Sequence, residues 1–105
     1  MSNPRIDNLR RMLEKHPEDA RLRFGLALEY EKLKQWEDVA EQLEHYLALT
    51  EDEGNAWGRL GAALRHLDRD QEARDAYRKG IEAAQRHHHP TMAAEFEEVL
   101  DDWDD

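Results

Sequence analysis

Three consecutive histidines, His87-His88-His89, are the residues of this 105-residue chain best equipped for chemistry. Imidazole is a common metal ligand and the side chain that titrates closest to neutrality. The spacing argues against a metal site, because consecutive residues on a helix point about 100° apart and helical His pairs that bind zinc sit at i, i+4. At a helix C-terminus the same rings interact favourably with the dipole, so 87–89 reads as a turn. Carboxylates also come in clusters, Glu51-Asp52-Glu53, Glu97-Glu98 and Asp104-Asp105, but no apolar pocket flanks them to raise a pKa for acid–base work. They read as a solvated face. There is no cysteine, hence no disulfide, thiolate zinc site or thiol nucleophile. No Ser-His-Asp spacing or Gly-rich phosphate loop is present, and Gly58 and Gly61 fall inside a helical pattern where small size is what matters. No catalytic residue, metal or cofactor is expected, and the chain does not read as an enzyme.

The charge balance narrows the partners. Twenty-five Asp and Glu against 15 Lys and Arg leave a net charge of −10, which opposes a sequence-independent grip on phosphates or on an anionic membrane surface. Eleven of the 15 bases are Arg, and together with the acidic excess this suits a salt-rich cytoplasm. No apolar run approaches the roughly 20 residues of a membrane helix, and the N-terminus lacks the stretch of a signal peptide. A cytoplasmic location is expected. Hydrophobic residues at 39% and charged residues at 38% suit a thin helical layer whose helices share one modest core.

The elements follow from apolar periodicity. Asn3 before Pro4 is a helix start, and Ile6, Leu9 and Leu13 make its stripe, with Met12 beside it, until His16-Pro17 ends it. Leu22, Leu26, Tyr30 and Leu33 form a second stripe, and Lys34-Gln35 a short turn. Val39, Leu43 and Leu47 mark a helix from Trp36 to Leu49, and residues 50–54 break it. Trp57, Leu60, Leu64 and Leu67 carry a fourth helix, Ala73, Tyr77, Gly80, Ile81 and Ala84 a fifth. His89-Pro90 opens a sixth with Met92, Phe96, Val99, Leu100 and Trp103. The chain reads as one all-α domain.

Shifting the sequence by 34 lays Leu26 on Leu60, Ala27 on Gly61, Tyr30 on Leu64, Val39 on Ala73, Leu43 on Tyr77 and Leu47 on Ile81. Self-similarity at this period is the mark of stacked helix pairs. Trp57, Leu60, Gly61, Leu64, Ala73, Tyr77 and Gly80 resemble the tetratricopeptide repeat, with Gln85 where a Pro often stands. Residues 20–53 match more loosely, with Val39 in a small-residue slot and bulky Tyr46 in another. The resemblance covers residues 4–87 and implies a right-handed α-α superhelix: a half repeat at 4–16, repeats at 20–53 and 54–87, and a capping helix at 90–103, about six antiparallel helices in all. Carried strictly past His87, the period would bury Glu95, Glu98 and Asp101. About two extra residues in the turn at 87–90 instead bring Met92, Phe96, Leu100 and Trp103 onto the buried stripe, leaving an acidic outer face.

Proteins that resemble this one bind peptides or partner helices in a concave groove lined by the first helix of each repeat. The residues at those positions are Arg21, Phe24, Leu28 and Glu31 in the first repeat and Asn55, Gly58, Ala62 and Arg65 in the second. Apolar bulk beside a hollow would make a peptide shelf, and Phe24 and Leu28 could equally pack on the helix at 4–15. The Lys-and-Asn set with which some members clamp a terminal carboxylate is not at these positions. The expected role is a protein–protein interaction module for a peptide or helix with apolar anchors and some basic charge. Self-association into a homodimer is the alternative, because few repeats leave a small core. Folding of the helix at 90–103 back into the groove is a further possibility.

Overall fold

The computed structural model describes residues 3–103, which form six helices, with no strand among the described residues. They are α1 (Pro4–Lys15), α2 (Ala20–Lys32), α3 (Trp36–Leu49), α4 (Asn55–His66), α5 (Asp70–Arg86) and α6 (Pro90–Trp103). The all-α expectation holds. The chain divides into two compact units, one ending at Thr50 and the other beginning at Glu51. In the first α1 packs on α2 and α2 on α3; in the second α4 packs on α5 and α5 on α6. The Asp104-Asp105 pair lies outside the described residues.

In the first unit, the Asn3 side chain accepts hydrogen bonds from the N–H groups of Arg5 and Ile6 at 3.1 and 3.2 Å, satisfying two of the orphan donors at a helix start. Ile6 and Leu13 of α1 are buried, and Leu9 lies over Gly25, its methyl carbons 3.7 Å from where a Cβ would sit. Polar ties accompany this packing. The Arg10 guanidinium donates to the Tyr30 hydroxyl from Nε at 2.9 Å and also from Nη2, and buried Glu29 meets Arg5 at 2.6 Å and Lys32 at 3.2 Å. The α2–α3 core is Leu22, Leu26, Ala27 and Tyr30 against Val39, Ala40 and Leu43. Leu33 leaves the expected stripe: it is the cap residue after α2 and is 48% exposed.

In the second unit, Gly54 precedes α4 at φ 127°, a region that favours glycine. The Asp52 carboxylate accepts from the N–H groups of Gly54 at 2.8 Å and Ala56 at 2.9 Å, capping the helix. Ala56, Leu60, Ala63 and Leu64 pack on Ala73, Ala76, Tyr77, Ala83 and Ala84, an alanine-rich seam. Gly61 permits this approach, since a Cβ there would lie 2.7 Å from the Tyr77 ring. On α6, Ala93 is buried and Met92, Phe96, Val99, Leu100 and Trp103 are half-buried, while Glu95, Glu97, Glu98, Asp101 and Asp102 face solvent.

The expected lengthening of the turn before α6 is not what occurs. The turn holds only His87, His88 and His89, whereas residues 50–54 separate α3 from α4; the extra length lies in α5, 17 residues against 14 in α3. Three turns share one construction. Lys34, Asp68 and His88 take left-handed conformations at φ 57°, 60° and 63°, and the next N–H reaches back to the helix: Gln35 to Tyr30 O at 3.0 Å, Arg69 to Leu64 O at 2.9 Å, His89 to Ala84 O at 2.8 Å. This is the Schellman closure that usually employs glycine. Lys34 and Asp68 stand one 34-residue period apart.

Candidate functional site: the first-helix faces of the two repeats

Arg21, Phe24, Leu28 and Glu31 lie along one side of α2, at helical spacings of three and four. Arg21 is exposed and pairs with the cap residue Asp19 at 3.4 Å; Phe24, Leu28 and Glu31 are half-buried. The Phe24 ring packs on Tyr46 of α3, centroids 5.1 Å apart and planes at 43°. Its aromatic partner is thus in α3, while the polar ties of α1 go to Glu29 and Tyr30. Bulky Tyr46 in a small-residue slot is thereby explained, since it supplies that ring.

On α4, Asn55 and Arg65 are exposed and Ala62 is half-buried. Gly58 was expected to form an open hollow, and here the structure corrects the reading: Gly58 is buried beneath Phe96 of α6. A Cβ on Gly58 would stand 2.6 Å from Phe96 Cε1, and one on Gly80 would stand 3.0 Å from Cε2 of the same ring. Two glycines, one on each helix of the pair, make the seat, and one phenyl ring fills it. Tyr77 meets that ring edge-on at 5.7 Å and the Trp103 ring at 6.4 Å. The guanidinium carbons of Arg65 and Arg74 lie 4.3 and 4.7 Å from the centre of the Trp103 ring, geometry suited to cation–π attraction. Burial raises the Tyr77 pKa above the usual phenol value of 10.0, and the nearby Arg65 charge partly opposes it. Ala62, Arg65, His66 and Tyr77 line a cleft of about 470 Å³ beside this cluster.

The spacing puts Phe96 on the buried stripe without showing what it seats against. A signal existed in the repeat itself: the 34-residue shift lays Phe24 on Gly58 and Tyr46 on Gly80. In the first unit the two rings fill that space from within; in the second the paired glycines leave it open, and α6 fills it.

The histidine turn and the acidic loop, read separately from sequence, meet. His89 Nε2 is 2.6 Å from the Glu53 carboxylate, and His87 Nε2 is 3.7 Å from Glu51, an ion-pair rather than a hydrogen-bond distance. The hydrogen bond to His89 holds the Glu53 carboxyl below its ordinary range, helped by charge on His87 and His89. Glu51-Asp52-Glu53 is therefore not simply a solvated face, since Asp52 caps α4 and its neighbours tie down the turn that launches α6. Among the described residues no group of three or more His, Asp or Glu is placed to hold a metal ion. No described helix is long and apolar enough to cross a membrane.

No family model matches the chain, and no curated protein does either. Among solved structures, the chain is similar to the solution structure of protein BPP2914 from Bordetella parapertussis, with a TM-score of 0.76 and 26% sequence identity over 95% of this chain and 86% of that one. The similarity extends over nearly the whole all-helical arrangement.

Proposed function

We propose that this chain is a non-enzymatic protein–protein interaction module of the tetratricopeptide type, acting in the cytoplasm and holding a peptide or partner helix on the first-helix faces of its repeats. The observation that carries this reading is the seat of α6: the α4 face assigned to ligand binding from sequence holds an amphipathic helix, with Phe96 over Gly58 and Trp103 over Arg65. A bound helix would use the same contacts, an aromatic anchor in a hollow and a flanking charged group. The α2 face keeps half-exposed apolar surface at Phe24 and Leu28, with Arg21 and Glu31 at its ends. Its partner carries apolar anchors, and basic charge to suit the −10 of the chain.

Replacing Phe24 and Leu28 together with Ser is expected to abolish capture of the partner from native cytoplasm while lowering the melting temperature only modestly. A collapse of stability would assign both side chains to the core and contradict the reading. A second reading, self-association, draws on three large hydrophobics of the first unit, Met12, Leu33 and Leu49, exposed at 49%, 48% and 42%. Light scattering separates the two, because a dimer dissociated by Leu49→Asp belongs to self-association.

A further inference from the structure

Helix α6 is acidic, and the hairpin beneath it is basic. Residues 90–103 carry five Asp or Glu and no Lys or Arg, whereas residues 54–86 carry seven Lys or Arg against five Asp or Glu, a local net of +2 in a chain of −10. Phe96 and Trp103 are seven residues apart, two helical turns, and so project from the same side of α6. One ring takes the Gly58–Gly80 hollow and the other the pair of guanidinium groups. The rest of the helix is less deeply buried than α5, which has six buried residues. Ala93 is the buried residue of α6, Met92, Val99 and Leu100 are half-buried, and its acidic side is open to solvent.

We infer that the α4–α5 hairpin is a receptor for acidic amphipathic helices bearing aromatic residues seven positions apart, and that α6 is its tethered occupant, displaced when such a helix from another protein competes. What holds α6 is chemistry that any helix of this description supplies, a phenyl-sized ring for the hollow and an indole for Arg65 and Arg74. Its solvent-facing carboxylates suit the +2 net charge of the hairpin only through the longer-range field. Helix α6 has one buried residue where α5 has six, and an element that buries less opens locally at lower free energy than the whole fold. The three-residue turn meanwhile holds α6 near its seat at a roughly millimolar effective concentration. The site is therefore covered at rest and favours ligands that outcompete a tethered copy. It lies on α4 and α5 and rests on the α4 part of the reading above, whereas the α2 face takes no part in it.

The test uses the 105-residue chain and a fluorescently labelled synthetic peptide of residues 90–103. The double variant Phe96→Ala/Trp103→Ala, whose own helix has lost both anchors, is expected to bind the peptide at least tenfold more tightly than the unaltered chain. Adding Arg65→Glu and Arg74→Glu should remove that binding, and Phe24→Ser should leave it unchanged. A folded double variant that binds no better than the unaltered chain overturns the proposal. Hydrogen exchange on the unaltered chain decides independently should the variant fail to fold: α6 amides are expected to exchange at least a hundredfold faster than those of α5. Equal protection of the two helices would make α6 a fixed part of the core and overturn the proposal.

Discussion

At the scale of the residue, glycines inside helices carry opposite expectations according to what a methyl group would meet. Glycine in a helix interior ordinarily costs about 1 kcal/mol relative to alanine. At Gly25 the nearest atoms are the Leu9 methyls at 3.7 Å, an ordinary contact, so Gly25→Ala is expected to stabilise by about 0.5–1 kcal/mol. At Gly61 the Tyr77 ring would lie 2.7 Å away, and Gly61→Ala is expected to destabilise by about 1–3 kcal/mol through overpacking. Urea unfolding of the two variants measures both. The small residue at 61 was legible from sequence, because Gly61 occupies a slot of the 34-residue pattern next to Leu60 and Leu64. The role of Gly58 was only half legible: small size could be read, but whether the space above it was open depended on where a helix 38 residues later would land.

At the scale of the element, boundaries were legible from periodicity and punctuating side chains, and the backbone conformation that closes each turn was not. Asn3-Pro4 and Trp36–Leu49 were readable from cap chemistry and periodicity. The three left-handed turn residues are a lysine, an aspartate and a histidine, none of them the glycine that usually marks such a turn, so the breaks were legible but the left-handed backbone that makes them was not. Left-handed backbone is unfavourable for residues with a Cβ. Lys34→Gly is therefore expected to raise stability by about 0.5–1 kcal/mol despite the added freedom of the unfolded chain. A thermal melt that shifts downward would show that the Schellman turn is not strained at this site.

At the scale of the whole molecule, pH reports the ion pairs that sequence left unassigned. Asp19 is held below its ordinary 3.8 chiefly by its hydrogen bond with Arg21, and Glu53 and Glu72 below 4.5 by His89 and Arg69 respectively. A carboxyl whose folded pKa lies below its unfolded one contributes stability that is present above the unfolded value and lost as pH falls through the folded one. The melting temperature is thus expected to hold down to about pH 4.5 and fall below it, with Glu53→Gln flattening part of the decline. Tyr77 acts at the other extreme. Its raised pKa gives stability fully present below pH 10, lost as pH climbs through the folded value. An acid limb unchanged by Glu53→Gln would remove the His89 pair from the fold's electrostatics. The all-α class and the period were visible in the chain as a whole, because apolar spacing alone determines them. Which carboxylate meets which base was not, because Glu53 and His89 come together across 36 residues through the length of α5.

The α4–α5 face holds an amphipathic helix by seating an aromatic ring over two glycines. That seating is tested most directly by anisotropy of the labelled 90–103 peptide on the Phe96→Ala/Trp103→Ala chain with and without Gly58→Ala. A methyl group at 58 would occupy the ring's place, so the account predicts at least a tenfold loss of peptide affinity with the α2–α3 core unaffected. Undiminished binding would mean that the hollow is not where helices are held.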